Sequence, residues 1–365
     1  MRSLTILLAL LGIAGLTAVV AWSGFGSVLA AVSGIGPGGF LITILCQLVV
    51  DTILGLAWHV AFPEISWLHL TGARMVRDAA GACLPFSQLG GMVIGTRATC
   101  RRPSADETKP AIDLTEATTL NIVDITTEVM GQIAFIILAV LLLMSHTTDH
   151  RLAGPVAAGA AVLALGVAGF IWTQHHGGSA VSRLARFFGR HIAGQWSSDI
   201  ADSAGEIQNR LEAAWARTPR IAAAAAVHLL GWIASAAVLQ ITCILLHVHI
   251  SFPQAVAIEG VTCGIMSASF FVPASLGVQE GAYTLLGSLF GIETATCVAL
   301  SLLRRARELS IGIPVLIGWQ ILEMRALRRQ NTRTQTARPG PARISPAGEP
   351  DYSPAEPDRS PEQVS

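Results

Sequence analysis

The stretch Leu84-Pro85-Phe86-Ser87-Gln88-Leu89-Gly90-Gly91 and the stretch Val272-Pro273-Ala274-Ser275-Leu276-Gly277-Val278-Gln279-Glu280-Gly281 follow one pattern. We call them the first and the second device. Each places Pro, Ser and Gly, which interrupt helices, among strongly apolar residues, with charged residues close by. Broken backbone is tolerated at membrane depth only where protein or a water-filled cavity satisfies its polar groups. Paired interruptions in the two halves of a chain point to the binding site of a transporter. The pattern therefore predicts a membrane protein with an internal repeat that handles a substrate.

The composition supports a membrane location. Of the 365 residues, 52% are hydrophobic and 13% are charged, whereas soluble domains carry roughly 25% charged residues. The mean hydropathy is +0.56. The six cysteines show no CxxC spacing and lie mostly in apolar runs, so we expect neither a disulfide framework nor a zinc site. The sequence shows no phosphate-cradling loop and no nucleophile–base constellation, and we expect no metal and no cofactor.

Five apolar runs are long enough to cross a bilayer. The first either is a signal peptide or stays as an uncleaved helix; its length and the segments after it favour the helix. The C-terminal region 255–322 crosses three times or is partly re-entrant, so the sequence predicts an all-α polytopic protein with six to eight transmembrane helices and two re-entrant or broken-helix elements. The five runs are Leu4–Trp22, Gly39–Ala61, Thr118–Met144, Leu152–Thr173 and Ile221–His247.

The distribution of arginines predicts the orientation. The loops 62–117 and 174–220 and the C-terminal tail are rich in arginine, whereas the loops Ser23–Gly38 and Ser145–Arg151 are nearly free of basic residues. Both termini are therefore expected in the cytoplasm. Residues 1–329 form the predicted membrane domain, including an amphipathic helix at about 181–200 that either lies in the membrane interface or packs on the bundle. Residues 330–365, rich in Pro, Ser, Glu and Arg, are predicted to form a disordered cytoplasmic tail.

Charges within the apolar segments are candidate site residues, because a charge at the centre of a membrane helix costs about 3 kcal/mol and needs a partner or water. In the third span, Asn121, Asp124, Glu128 and Gln132 share one helix face. This stripe is suited to binding a cation, relaying protons or pairing with arginines; alternatively it is wetted at a helix end.

The second device is followed by a charged block. Arg304 and Glu308 are one turn apart and are expected to pair. Arg305 and Arg307 then remain for an acidic partner such as Glu280, Asp124 or Glu128, or for a lipid phosphate. The alternative places the block at a helix end facing headgroups.

The first device has arginines on both sides. Arg74 and Asp78 are again one turn apart, Arg77 lies between them, and Arg97 follows the glycines. Because Gly90 and Gly91 leave backbone amides accessible, an anion site is one interpretation, and a plain cytoplasmic loop is the other. In the second span, Gln47 and Asp51 are isolated polar residues one turn apart, and either is interpreted as making a structural hydrogen bond to another helix.

Two longer segments resemble a known family. The segments Pro273–Tyr283 (PASLGVQEGAY) and Ala299–Leu309 (ALSLLRRAREL) resemble the flippase-like membrane family that includes the transmembrane portion of the lysylphosphatidylglycerol synthases. The first device is similar to the family's other motif, although Ala82-Cys83 and Met92 stand where relatives often carry Asn-Ser and an acidic residue. The run Asp124–Gln132 (DITTEVMGQ) and the ending Pro314…Trp319-Gln320…Glu323 resemble the hopanoid-biosynthesis-associated, HpnL-type branch. The resemblance covers nearly all of residues 1–329.

This resemblance implies movement of a lipid, with hopanoids as the substrate class, in the bacterial inner membrane. It implies neither an enzyme nor a nucleic-acid partner; other hopanoid-biosynthesis or export proteins are the candidate protein partners. An accessory scaffold and a membrane-embedded lipid enzyme are the alternatives. We expect the two devices to meet near the bilayer midplane and to form a groove for the headgroup. The residues expected to line it or to couple transport are Arg77, Pro85, Gly90, Gly91, Arg97, Asp124, Glu128, Pro273, Gly277, Glu280, Arg304, Arg305 and Glu308.

Overall fold

The computed structural model describes residues 25–83, 87–101, 111–146, 197–268 and 277–336. Within these residues the chain is helical, apart from short connections and one isolated backbone bridge between Arg101 and Ile112, and it contains no strand. It is an all-α polytopic membrane protein. The helices are α1 (Phe25–Ala61), α2 (Trp67–Cys83), α3 (Ser87–Thr99), α4 (Leu114–His146), α5 (Ser197–Trp215), α6 (Thr218–Leu245), α7 (Phe252–Ala268), α8 (Val278–Leu289) and α9 (Thr294–Thr336).

Three helices are long and apolar enough to cross a membrane: Ser33–Ala61, Leu114–Ser145 and Thr218–Leu245. They confirm the predicted second, third and fifth spans. The predicted spans Leu4–Trp22 and Leu152–Thr173 lie outside the described residues, as does most of the predicted amphipathic helix at 181–200. The choice between six and eight crossings therefore stays a prediction.

The described helices follow the same order twice. A long helix is followed by two short ones and another long one, as α1 to α4 and again as α6 to α9. The short helices have 17 and 13 residues in the first half and 17 and 12 in the second. At 1.5 Å per residue even a 17-residue helix is about 25 Å long, which is less than the roughly 30 Å of hydrocarbon in a bilayer. The order supports the predicted repeat and its two broken-helix elements.

The first short pair is an antiparallel hairpin. A Cβ added to Gly91 of α3 would lie 2.9 Å from the backbone oxygen of Arg77 and 3.2 Å from the backbone nitrogen of Gly81 in α2. A Cβ added to Gly95 would meet the side chain of Arg77 itself. Gly91 therefore contacts α2 as far along as Gly81, whereas Gly95, which is nearer the end of α3, contacts α2 nearer its start, at Arg77. The two helices run in opposite directions. The glycines allow their backbones to approach closely.

The C-terminal region divides differently from the prediction. Within the region 255–322 the apolar pattern predicts separate segments at Gly281–Leu303 and Leu309–Leu322, but α8 ends at Leu289 and α9 begins at Thr294. Gly291 has a φ of 73°, a conformation that reverses the chain and that other residues rarely adopt. Because α9 then continues without interruption, the arginines at 304–307 lie within a helix.

Two smaller predictions are also corrected. The segment Ser23–Gly38 was expected to be a loop, but α1 begins at Phe25 and consists of two helical parts joined at a kink, where Gly36 has φ 70° and Pro37 follows. Proline suits the first turn of the second part because that turn needs no amide donor. The amide of Gln47 donates to Asp51 Oδ1 at 2.9 Å within α1, so this bond lies inside one helix because the residues are one turn apart.

The chain divides into two compact units, Met1–Trp319 and Gln320–Ser365. In the second unit residues 320–336 are helical, including 330–336, which the sequence had assigned to the disordered tail. The rest of the predicted tail lies outside the described residues.

Candidate functional site

A first charged cluster joins the first short pair to the long helix that follows it. The guanidinium of Arg77 donates to Asp124 Oδ2 at 2.7 Å, and that of Arg74 donates to the same oxygen at 3.0 Å. Both arginines also donate to Glu128, Arg77 at 3.1 Å. The arginines are three residues apart on α2 and the acids are four apart on α4, so each pair presents one helix face to the other. The predicted polar stripe on α4 therefore pairs with arginines.

This cluster lies in the protein interior. The side chains of Arg74 and Arg77 are 2% and 7% exposed, and that of Asp124 is 0% exposed. His228 of α6 places Nε2 3.2 Å from Asp124 Oδ1, and the ring of Trp58 in α1 lies 5.7 Å from the guanidinium carbon of Arg77. Four helices, α1, α2, α4 and α6, therefore meet around one group of charges.

The rest of the polar stripe is also bonded. Asn121 donates to Thr99 Oγ1 at 2.9 Å, which ties α4 to α3. Gln132 donates to Ser267 Oγ at 3.1 Å, which ties α4 to α7. Asp78 also contacts both arginines: its Oδ2 lies 3.3 Å from Arg74 Nε and its Oδ1 lies 3.2 Å from Arg77 Nε. Arg74 and Asp78, which the sequence places one turn apart, form an ion pair.

A second charged cluster joins the second short pair to α9. Arg304 donates through Nη1 to Glu259 of α7, and to the hydroxyl of Tyr283 of α8 at 3.1 Å. Tyr283 donates in turn to Glu259 Oε2 at 2.7 Å. Arg304 also donates from Nε to Glu308 at 3.1 Å, which confirms the predicted pair. One guanidinium thus connects three helices.

The start of α8 is tied to α9 by a separate ion pair. Arg305 donates to Glu280 Oε1 at 3.0 Å, and Glu280 Oε2 accepts the backbone amide of Gly277 at 2.8 Å. Gly277 precedes the helix with φ 77°, so Glu280 satisfies an amide that the helix itself cannot. Gln279 donates to Ser301 Oγ at 2.9 Å. The second device therefore places its acidic residue against the arginine block, which is one of the alternatives that the sequence leaves open.

A small polar cavity adjoins the second cluster. Its volume of about 10 Å³ is room for about one water-sized group. The lining combines charged, hydroxyl and apolar side chains from α6 to α9, namely Ser235, Leu239, Thr242, Glu259, Tyr283, Leu300, Arg304 and Arg307.

The remaining predicted site residues lie elsewhere. Arg97 is on an exposed face near the end of α3. Gly91 lies within α3, so its amide belongs to the helical hydrogen-bond ladder, and the residue allows close packing; its predicted use as an accessible amide is wrong for that reason. Pro85 and Pro273 lie outside the described residues, and the meeting of the two devices stays a prediction.

Sequence reasoning missed three members of the clusters. Glu259 is a lone acid in the apolar run Phe252–Ala268, and His228 is a lone histidine in the apolar run Ile221–Leu245. Both are buried, at 3% and 0% exposed. The rule that singled out Asp124 applies to both, because an ionisable residue inside a membrane segment needs a partner. Tyr283 carried no comparable signal. In the described part of the chain, no group of three or more His, Cys, Asp and Glu side chains is arranged to hold a metal ion.

The fold and these clusters define the class: a polytopic membrane protein that carries ion pairs on two broken-helix pairs. The chain belongs to the family of the lysylphosphatidylglycerol synthase TM region, whose sequence profile matches residues 6–318. This membership identifies a membrane protein involved in lipid handling. No curated protein and no solved structure matched the chain at a significant level.

Proposed function

We propose that this protein moves a lipid across the bacterial inner membrane and that hopanoids are its substrate class. The observation that carries the proposal is the burial of a charged cluster on each of the two broken-helix pairs. The arginines Arg74, Arg77 and Arg305 are all below 8% exposed on the side chain. In membrane transporters, substrate sites lie where paired, interrupted helices of two repeats bring polar groups to membrane depth.

The hopanoid assignment rests on the resemblance of Asp124–Gln132 and of the segment ending at Glu323 to the HpnL-type branch. The chain carries no ATPase motif, so the driving force in this proposal is an ion or proton gradient or mass action. The proposal includes an inner-membrane location with both termini in the cytoplasm, because the arginine-rich loops favour that orientation. It assigns the protein no enzymatic activity.

The proposal is tested by lipid distribution in a strain lacking the protein. Hopanoid content and chemistry are measured separately in the inner and outer membranes, with the wild-type gene, Arg305→Ala or Glu280→Ala supplied at normal level. We expect normal hopanoid species retained in the inner membrane of the deletion strain and of both variants. Arg217→Ala is the matched control, because Arg217 forms an exposed pair with Glu64 at 2.9 Å; it should restore the distribution. Altered hopanoid chemistry with unaltered distribution would contradict transport and favour a lipid enzyme.

A scaffold that holds lipid-modifying enzymes is the second candidate, favoured by the completeness of the ion pairing in the first cluster. The exchange Arg305→Glu with Glu280→Arg separates the two candidates. A scaffold needs the ion pair, so the exchange should restore more function than either single substitution, even though it removes the bond from the Gly277 amide to Glu280. A transport site needs each charge in its place, so the exchange should restore none. Arg304 is unsuited to this exchange because it bonds Glu259, Tyr283 and Glu308 together.

A further inference from the structure

Arg307 is a buried arginine whose role the two ion-pair clusters do not explain. It is 8% exposed, and its side chain lines the cavity of about 10 Å³. Its Nε is buried without a hydrogen-bond partner, and within the described residues no carboxylate forms an ion pair with it. Leaving a buried donor of a charged group unsatisfied is more costly than leaving a neutral one unsatisfied. The side chain of Arg307 therefore reaches the cavity wall with no ion-pair partner among the described residues, and a group bound in the cavity would supply an acceptor for its guanidinium.

The charges at and beside the cavity sum to zero, because Arg304, Arg307 and Glu259 line it and Glu308 pairs with Arg304 from outside the lining. Arg304 is shared between Glu259 and Glu308, which gives one positive and two negative charges. Arg307 supplies the second positive charge. An anionic headgroup would leave this set with a net negative charge in a low-dielectric region, which is unfavourable. The balance favours a neutral ligand.

The directions of the hydrogen bonds at the cavity wall restrict the chemical class of the ligand further. The hydroxyl of Ser235 donates to the carbonyl of Trp232 at 2.7 Å, and that of Thr242 donates to the carbonyl of Val238 at 2.7 Å. With their hydrogens used in this way, both oxygens present lone pairs as acceptors. The wall therefore offers a donor from Arg307 and acceptors from two hydroxyl groups. An alcohol matches this arrangement because it both accepts and donates.

We propose that the cavity binds the hydroxyl of a neutral, hydroxylated lipid headgroup. Arg307 donates to the hydroxyl oxygen, and Ser235 or Thr242 accepts its hydrogen. The volume is sufficient for about one water-sized group, which is the size of a hydroxyl. This inference rests on the proposed movement of lipid and names the headgroup chemistry that this part of the site selects.

Binding to the purified full-length protein in detergent tests the inference. The probes are dioleoylglycerol, its methyl ether, which lacks the hydroxyl hydrogen, and dioleoyl phosphatidic acid, which is an anion. We expect dioleoylglycerol to bind about tenfold more tightly than the methyl ether, which corresponds to about 1.4 kcal/mol. In the double variant Ser235→Ala with Thr242→Val, which preserves side-chain volume, the ratio should fall to about one. Arg307→Leu should weaken the binding of dioleoylglycerol by a similar factor. Arg217→Ala should change neither the affinity for dioleoylglycerol nor the ratio between the alcohol and the ether.

Equal binding of the alcohol and the ether would overturn the inference, as would a tenfold ratio that survives in the double variant. Tighter binding of phosphatidic acid would show an anion site instead. The hopanoid distribution assay separates this inference from the proposed function. If the alcohol binds as expected while the deletion strain distributes hopanoids normally, the headgroup site stands and hopanoid transport fails. If distribution depends on the protein but the alcohol and ether bind equally, transport stands and the headgroup site fails.

Discussion

At the scale of single residues, the buried ion pairs fix the positions of the helices more than they increase the free energy of unfolding. Removing an arginine and a carboxylate from water is costly, and their attraction repays this cost only when geometry and further hydrogen bonds are favourable. Around Asp124 these conditions are met, because one of its oxygens accepts from both Arg74 and Arg77 and the other faces His228. The cluster therefore fixes how α2, α4 and α6 pack.

Asp124→Asn should destabilise the protein by about 3–5 kcal/mol. The substitution keeps the shape but removes a charge, so Arg74 and Arg77 are left with Glu128 and the half-exposed Asp78, and a broken buried pair has a cost of this size. Unfolding of the purified protein in detergent by denaturant measures the change. Glu64→Gln is the control, because its pair with Arg217 is exposed and worth at most about 1 kcal/mol. A loss for Asp124→Asn no larger than for the control would contradict a structural role.

Tyr283→Phe should cost about 1.5–3 kcal/mol, since the lost hydroxyl donates to the charged Glu259. A double-mutant cycle with Glu259→Gln checks the cause. If the hydroxyl acts through Glu259, the double variant should be less destabilised than the sum of the two single variants by at least about 0.5 kcal/mol. Strict additivity would assign the effect to some other contact.

At the scale of helices, close approach of backbones decides the packing of the first hairpin. Gly91→Ala should destabilise the protein by about 1–3 kcal/mol, because the new methyl group would lie 2.9 Å from the backbone oxygen of Arg77 and 3.2 Å from the backbone of Gly81. Backbone atoms cannot rotate away as a side chain can. Gly72→Ala in the neighbouring helix is the control; nothing lies within 4 Å of its new Cβ, so alanine should be neutral or stabilise by up to about 1 kcal/mol. The same unfolding measurement compares the two.

Whether the sequence predicts a feature of this fold depends on whether local properties or contacts between distant residues determine that feature. The three confirmed spans are set by hydropathy over about 20 residues, and the pairs of Arg304 with Glu308 and Arg74 with Asp78 are set by helical spacing; both properties are local. The partners Glu259 for Arg304 and Asp124 for Arg77 are distant in sequence, and only the packing of helices brings them together. Likewise, nothing local distinguishes Gly91 as a packing residue from Gly91 as an accessible amide until α2 lies beside it.

At the scale of the whole molecule, ion pairs join short helices to a long helix in both halves, but the arginines lie on the short helix in the first half and on the long helix in the second. In the first half the short helix α2 supplies arginines and the long helix α4 supplies acids. In the second half the short helices α7 and α8 supply Glu259 and Glu280, and the long helix α9 supplies Arg304 and Arg305. Because the charges are exchanged between repeats, a short helix of one half is electrostatically matched to its own long helix and mismatched to that of the other. During folding, this arrangement favours the pairing of each short helix with the long helix of its own half.

The halves also touch directly, and this contact gives the last prediction. A Cβ added to Gly312 of α9 would lie 3.1 Å from Cys83 Sγ at the end of α2. In a disulfide, each Cβ is about 3 Å from the far sulfur. Gly312→Cys should therefore form a disulfide with Cys83 when the purified protein is treated with a mild oxidant. Mass spectrometry of proteolytic peptides, with and without reductant, detects the link.

Gly318→Cys is the control for this cross-link, because nothing lies within 4 Å of a Cβ at that position; it should leave Cys83 unlinked under the same conditions. If lipid movement requires the two repeats to shift against each other, as in alternating access, the oxidised Gly312→Cys protein reconstituted in vesicles should lose lipid movement and regain it on reduction. Full activity in the linked state would show that lipid passes without a change at this contact. Failure of the thiols to link would instead contradict the packing of α2 against α9, since the link depends on that geometry alone.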